Sequence, residues 1–199
     1  MKIIFASANT NKIAEINALL KGKSEVIGLK DIGIHNDIPE TGTTIKENSL
    51  LKARYVLDFL HQQKMELLPV FSDDSGLEVE TLDNAPGVYS ARYAGEPKND
   101  ANNNEKLIRE LKEKNNRRAR FVTVITLLQN NEVHYFEGEV KGEIIMEAKG
   151  NTGFGYDPLF QPDGYNNTFA ELGSEIKNKI SHRANAVKQL ISFLENIRR

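Results

Sequence analysis

The sequence predicts a mixed α/β fold, and three features of its patterning carry that expectation. Ile3 to Ala6 is a short apolar run of β-formers leading through a polar turn into helical apolar spacing, the strand, turn and helix of a parallel unit. Ala119 to Leu128 and Glu132 to Val140 both suit strands and are split only by Asn130-Asn131, the composition of a hairpin turn. The chain then returns to helical periodicity, with Val187, Leu190, Ile191, Leu194 and Ile197 on one face. A parallel unit, an antiparallel pair and terminal helices together make a mixed sheet.

The elements follow in order. After the first strand, Ser7-Ala8-Asn9-Thr10-Asn11-Lys12 forms the turn, and Ile13, Ile16, Leu19 and Leu20 carry a helix until Gly22. Glu25 to Leu29 reads as a second strand, and Asp37 to Thr44 as a loop whose turn residues and threonines forbid regular structure. Thr44 and Glu47 form a capping-box pattern opening a long helix to about His61, with Ile45, Leu51, Tyr55, Phe59 and Leu60 on its apolar face. Leu67 to Phe71 is expected as a buried strand that Ser72-Asp73-Asp74-Ser75-Gly76 breaks, leaving two aspartates at a strand end. Leu77 to Leu82 then alternates apolar and polar. Asn84 to Pro97 is a connecting loop, and Asn102 to Lys114 a charged helix. Gly150 to Gly164 holds four glycines and two prolines, too many breakers for a regular element, and Ser181 is placed to cap the last helix.

Composition narrows the class. A chain of 199 residues fits one large domain or two lobes sharing a core, and 39% hydrophobic with 27% charged residues is a globular balance. The net charge of -2 lacks the basic field of a nucleic-acid or anionic-membrane binder, so any polyanion must be held locally. The absence of cysteine excludes disulfides, thiolate metal sites and a cysteine nucleophile. A chain without cysteine suits the cytosol, and the opening residues are too short an apolar run for a signal peptide, so neither secretion nor membrane spanning is expected.

Four loops could carry chemistry. A polar turn between strand and helix is a ready anion site, because first-turn N–H groups are unpaired and the helix dipole favours negative charge; Ser7, Asn9, Thr10, Asn11 and Lys12 would surround the anion. Ser7 and Asn9 equally suit simple capping. Asp73-Asp74, with Glu40 on its Gly/Thr loop, offers oxygen ligands for a hard divalent ion, Mg²⁺ by preference, since that ion is held by one or two carboxylates plus substrate phosphates. Adjacent aspartates before Ser-Gly are also common turn formers. Phe154-Gly155-Tyr156-Asp157 combines a stacking ring, a closely approachable backbone and a carboxylate, which suits a nucleobase or a lid over a core. Lys177, Lys179, His182 and Arg183 form a basic cluster suited to phosphates or a base carbonyl, or to a solvated face.

Taken in order, Ser7 to Lys12, Glu40-Thr41-Gly42-Thr43-Thr44, Asp73-Asp74-Ser75-Gly76-Leu77, Pro86 to Gly95, Gly153-Phe154-Gly155-Tyr156-Asp157-Pro158 and Ser181-His182-Arg183 resemble the inosine triphosphate pyrophosphatase family nearly end to end. The resemblance implies a single domain over residues 1–199, an elongated mixed sheet whose helices form two lobes around a central substrate cleft, and a homodimer. It implies that Ser7, Ala8, Asn9, Thr10, Asn11 and Lys12 bind the triphosphate, with Lys52 and Lys177 adding positive charge. Asp74 is implied as catalytic carboxylate and metal ligand, Glu40 as a second metal-linked carboxylate, and Ser75 as a substrate contact. Phe154, Gly155, Tyr156, Asp157, His182 and Arg183 are implied as the base-recognition set. One departure stands after Ala170-Glu171-Leu172, where the family pattern has an acidic residue and this chain has Gly173, which bears on the local helix start.

The expected reaction is Mg²⁺-dependent hydrolysis of ITP, dITP or XTP between the α- and β-phosphates, with Asp74 orienting or deprotonating the water. Lys12, Glu40, Asp74 and Phe154 are expected to line one pocket. Two rivals stand beside it. A Maf-like pyrophosphatase typically opens on Ser-Pro-Arg-Arg, where this chain has Ser7-Ala8-Asn9-Thr10. A non-catalytic nucleotide sensor would need neither Glu40 nor Asp74.

Overall fold

Successive side chains of a strand point to opposite faces, and the first strand uses both. In β1 (Lys2–Phe5), Ile3 and Phe5 enter one apolar cluster while Ile4 and the following Ala6 enter another. A strand buried on both faces needs a helical layer on each. The first cluster takes Ile16 and Leu20 from α1 (Thr10–Leu20) and Ala186, Val187, Leu190 and Leu194 from α5 (His182–Asn196). The second takes Ala53, Val56 and Leu60 from α2 (Ile45–Gln62). The computed structural model describes residues 1–197.

The remaining elements are β2 (Glu25–Ile27), β3 (Val70–Val79), α3 (Asp100–Leu111), β4 (Arg118–Gln129), β5 (Glu132–Ile144), β6 (Phe160–Pro162) and α4 (Phe169–Ile180). The sheet runs β2-β1-β3-β4-β5-β6; β1 pairs in parallel with β2 and β3, and β5 pairs antiparallel with β6. The expected mixed sheet is therefore present. Asn130 and Asn131, at φ 51° and 63°, take the left-handed conformations of a two-residue hairpin between β4 and β5.

Contacts divide the chain into two compact units. The first comprises Met1–Asp74, Thr123–Glu137 and the chain from Asn185 onward; the second comprises Ser75–Val122 and Gly138–Ala184. The second unit has its own core, where Leu77, Val79, Leu107, Leu111, Ile144 and Leu159 surround Phe121, Phe160 and Phe169. Among the described residues no helix is long and apolar enough to cross a membrane.

Several boundaries differ from the sequence expectation. The largest difference is β3, which runs unbroken through Ser72-Asp73-Asp74-Ser75-Gly76, so the two aspartates lie inside a strand. Strand formation at a polar segment needs a buried partner for every polar side chain, and each has one here. Ser72 Oγ donates to the Ser49 carbonyl at 2.5 Å, and both aspartates meet lysines. On α2 the buried stripe is Ile45, Asn48, Ser49, Lys52, Ala53, Val56 and Leu60, while Leu51 and Tyr55 face outward. Apolarity misplaced that face because the stripe carries polar residues that bond inward. Leu29–Ile32 forms a 3₁₀ turn where the second strand was extended too far. Gly87–Arg92 forms another inside the expected loop, and β6 occupies part of the Gly/Pro-rich stretch. Gly173, at φ 74° and ψ 175°, breaks α4 in its middle; the helix start is secured by Thr168 and Glu171, which cap each other.

Candidate functional site

In the first unit, the strand alternation of β3 separates the two aspartates. Val70, Ser72 and Asp74 face α2, whereas Phe71 and Asp73 face the side of α1. Asp73 Oδ1 accordingly meets Lys12 Nζ at 3.2 Å, and Asp74 Oδ1 accepts from Lys52 Nζ at 2.9 Å. Lys52 stands on α2 one turn beyond Ser49, whose Oγ accepts from Thr126 Oγ1 at 2.8 Å and lies 3.1 Å from Ser72 Oγ. That buried hydroxyl cluster ties the helix to β3 and β4 and fixes the height of Lys52 over the strand.

Glu40 comes to the same ammonium from a loop stapled onto the start of α2. Gly42 N donates to Asn48 Oδ1 at 2.7 Å, Thr43 N to Glu47 Oε2 at 2.7 Å, and Glu47 N to Thr44 Oγ1 at 3.1 Å, so the expected capping box is present. A Cβ at Gly42 would collide with Glu47 and Asn48, which is why that position takes glycine. Glu40 Oε1 then accepts from Lys52 Nζ at 2.8 Å.

The electrostatics follow from burial. Desolvation opposes the Lys52 charge, but Asp74, Glu40 and Asp73 outweigh it and push its pKa up to about 12. Burial holds the Asp74 carboxyl above the ordinary aspartate range, against the pull of Lys52 and Lys12. A buried carboxylate of raised basicity beside fixed cations is the pattern of a general base. Glu40 and Asp74 place hard oxygens within hydrogen-bond distance of one cationic centre, so the donor set fits Mg²⁺ held by two carboxylates and substrate phosphates. Among the described residues no group of three acidic or histidine side chains forms a protein cage for a metal.

The Ser7 to Lys12 turn is internally bonded. Asn9 Oδ1 accepts from the N–H groups of Asn11 and Lys12 at 3.0 and 3.1 Å, and Ser7 Oγ accepts from Asn9 N at 3.3 Å. Asn9 is thus the helix cap, and Ala8, Asn9, Thr10 and Asn11 are exposed at the turn.

The remaining candidates lie in the second unit. Phe154 N donates to Asp157 Oδ2 at 2.9 Å, and the same oxygen accepts from Lys177 Nζ at 2.5 Å. Lys177 sits 4.5 Å above the Phe154 ring, with the Arg183 guanidinium 6.0 Å from it. Arg183, 1% exposed, donates from Nη2 to Ser75 Oγ at 3.0 Å. His182 is buried and stacks on Phe121 at 4.7 Å, and Tyr156 turns inward to donate its hydroxyl to the Ser90 carbonyl at 2.8 Å. Burial raises the Tyr156 pKa, so the phenol keeps that proton. Of the basic cluster, Lys179 alone is solvated, paired with Glu175 at 2.8 Å, and Ser181 Oγ caps the last helix by accepting from Ala184 N.

Lys12, Glu40, Lys52 and Asp74 therefore gather in one unit, and Ser75, Phe154, Asp157, Lys177 and Arg183 in the other. Sequence reasoning gave the catalytic and metal-ligand roles to Asp74, left Asp73 with none beyond the shared carboxylate pair, and overlooked Ser49, Ser72 and Thr126. Asn48, Ser49 and Lys52, set at helical spacing with Ile45, Ala53, Val56 and Leu60, were the available signal on α2.

The geometry has close counterparts. The Ham1 family pattern matches residues 3–193. A dITP/XTP pyrophosphatase of Flavobacterium psychrophilum is 52% identical over 98% of this chain and 100% of its own length. One of Porphyromonas gingivalis is 52% identical over 97% of each. The structure of the Staphylococcus aureus Ham1 protein superposes with a TM-score of 0.87 at 42% identity, covering 98% of this chain and 99% of its own. A HAM1 protein from Coxiella burnetii gives 0.88 at 38%, over 98% and 99%.

Proposed function

This chain belongs to the Ham1 family, and from that premise we propose that it hydrolyses purine nucleoside triphosphates carrying an aberrant base, namely dITP, XTP and ITP, to the monophosphate and pyrophosphate. Clearing them keeps such bases out of DNA and RNA. The observation that carries the proposal is the buried Lys52–Asp74 pair, joined by the half-buried Glu40, with Lys12 and Asp73 beside it.

A triphosphate brings about four negative charges, so water reaches the α-phosphorus only after much of that charge is neutralised. Lys12 and Lys52 supply cations for the phosphate chain, and Lys177 adds a third. Asp74, held basic by burial, takes a proton from the water as its oxygen bonds to the α-phosphorus; the bond to the bridging oxygen breaks and pyrophosphate leaves. Glu40 and Asp74 are the residues that would hold Mg²⁺, which when bound supplies further neutralisation of phosphate charge. The Phe154 ring offers a stacking face, and Lys177 and Arg183 offer donors to a 6-keto oxygen. Adenine presents an amino donor there, and two facing donors leave buried groups unsatisfied at about 1–3 kcal/mol each. Action on free nucleotides in the cytoplasm as a homodimer completes the proposal, the assembly being open to light scattering.

The test is pyrophosphate and orthophosphate release from dITP, XTP, ITP, GTP and ATP, with Mg²⁺ and after chelation. Pyrophosphate from the first three, at least about tenfold faster than from ATP and lost on chelation, is expected. Equal rates for ITP and ATP would remove the proposed role, and binding without release would mark a sensor.

A further inference from the structure

The loop that carries Phe154 is held from outside by α3. Asp100 and Asn104 stand four residues apart and so share one face of that helix. Asp100 Oδ2 accepts from Gly155 N at 2.7 Å, and Asn104 Nδ2 donates to Gly155 O at 3.1 Å. One glycine is thus gripped at both of its polar backbone groups. The amide of Asn104 has only one workable orientation, because its oxygen turned to Gly155 would face a carbonyl.

Gly155 sits at φ 63°, in the left-handed region, and the residue before it is the ring that Lys177 and Arg183 overlie. On the other side, Asp157 fixes Phe154 N, and a Cβ at Gly153 would strike that carboxylate. Asp157 therefore anchors the loop from within, and the α3 pair anchors it from without. Neither Asp100 nor Asn104 lies in any of the six sequence motifs.

We propose that Asp100 and Asn104 are positioning residues for base discrimination: by fixing the two peptide groups flanking Gly155 they set the Phe154 ring and the loop backbone at the distance that accepts a 6-keto purine and rejects a 6-amino one. The proposal rests on the function given above. Discrimination is exposed to small displacements, since a donor and acceptor pair weakens steeply once distance or angle departs from the favoured range. Loosening the loop should then cost affinity for the favoured base before it costs turnover.

The experiment compares Asp100→Ala, Asn104→Asp and Asp100→Asn in the full chain, each first shown to melt cooperatively. Asp100→Asn keeps an acceptor for Gly155 N, whereas Asn104→Asp turns a donor into an acceptor facing a carbonyl. The kcat/KM ratio of ITP over ATP should fall about tenfold in Asp100→Ala and Asn104→Asp, through KM for ITP with kcat within about twofold, and hold in Asp100→Asn. Equal losses on both nucleotides, or an unchanged ratio, would overturn the proposal. A second readout needs no substrate: fluorinated phenylalanine at position 154 should shift its ¹⁹F resonance in Asp100→Ala and Asn104→Asp but not in Asp100→Asn. An unmoved resonance sinks the positioning role whatever the nucleotide panel gives. A wild-type chain that does not prefer ITP sinks the assigned function alone, and the resonance still decides the loop.

Discussion

The two clusters of candidate residues, one in each unit, are built by different means. In the first unit, Asp73, Asp74 and Lys52 project from a strand and a helix, and their separation follows from the two-residue period of β3 and the turn of α2. In the second, Phe154 belongs to no regular element and is held by side chains bonded to backbone: Asp157 to its own N–H, Asp100 and Asn104 to the next residue. The ionic half inherits its geometry from the sheet, while the aromatic half has to assemble its own. On the proposed function, the placing of charge falls to residues on regular elements, and selection among similar bases to residues on a loop.

The contrast should be largest at Lys52. Lys52→Met leaves the buried Asp74 and the half-buried Glu40 without their counter-charge, and breaking the buried Lys52–Asp74 pair costs about 3–5 kcal/mol of stability, readable by denaturant titration. The same change shifts the pH profile in a fixed direction. As the proposed general base Asp74 acts only when ionised, so kcat/KM should fall as pH drops through its folded pKa, which burial already holds above the usual range. Removing the pull of Lys52 raises that pKa further, and the acid limb should move to higher pH; a limb that stays put would detach Asp74 from the rate.

In the aromatic half the effects should be smaller and confined to binding. Phe154→Ala removes a stacking face worth about 1–3 kcal/mol per base, so KM for ITP should rise roughly tenfold or more while kcat changes little. A collapse of kcat instead would show that the two halves do not divide the work in this way. Smaller still are the caps. Thr168→Ala and Thr44→Ala each remove a capping box at about 1 kcal/mol by thermal melting. They should differ in turnover, because Thr44 anchors the loop that delivers Glu40, whereas Gly173 breaks α4 between Thr168 and the Lys177 that the same helix carries; equal turnover in both would break the comparison.

The same division explains what the sequence disclosed. The mixed sheet, the Asn130-Asn131 hairpin and the Thr44–Glu47 box were legible because each rests on local pattern: alternation, turn chemistry, a three-residue spacing. The continuity of β3 was not, since Ser72 to Gly76 has the composition of a turn and becomes strand only through Ser49, Lys12 and Lys52, residues far away in the chain. The inward face of α2 was misjudged for the same reason: Asn48, Ser49 and Lys52 are polar and buried, which apolar periodicity counts as solvent side. Among the candidate residues, chemical type was readable and partnership was not. His182 stood in a basic cluster yet packs flat on Phe121, and Asp100 and Asn104 looked like ordinary polar positions of a charged helix.

The central claim is that strand alternation gives two neighbouring aspartates different tasks, Asp74 facing Lys52 and Glu40 and Asp73 facing Lys12. Pyrophosphate release from ITP by Asp74→Asn and Asp73→Asn, measured side by side on proteins shown to be folded, tests it most directly. The account predicts a loss of about 10²–10⁴ in kcat for Asp74→Asn, the scale of general-base catalysis, and a much smaller loss expressed mainly in KM for Asp73→Asn. Equal losses, or the larger one at Asp73, would contradict it.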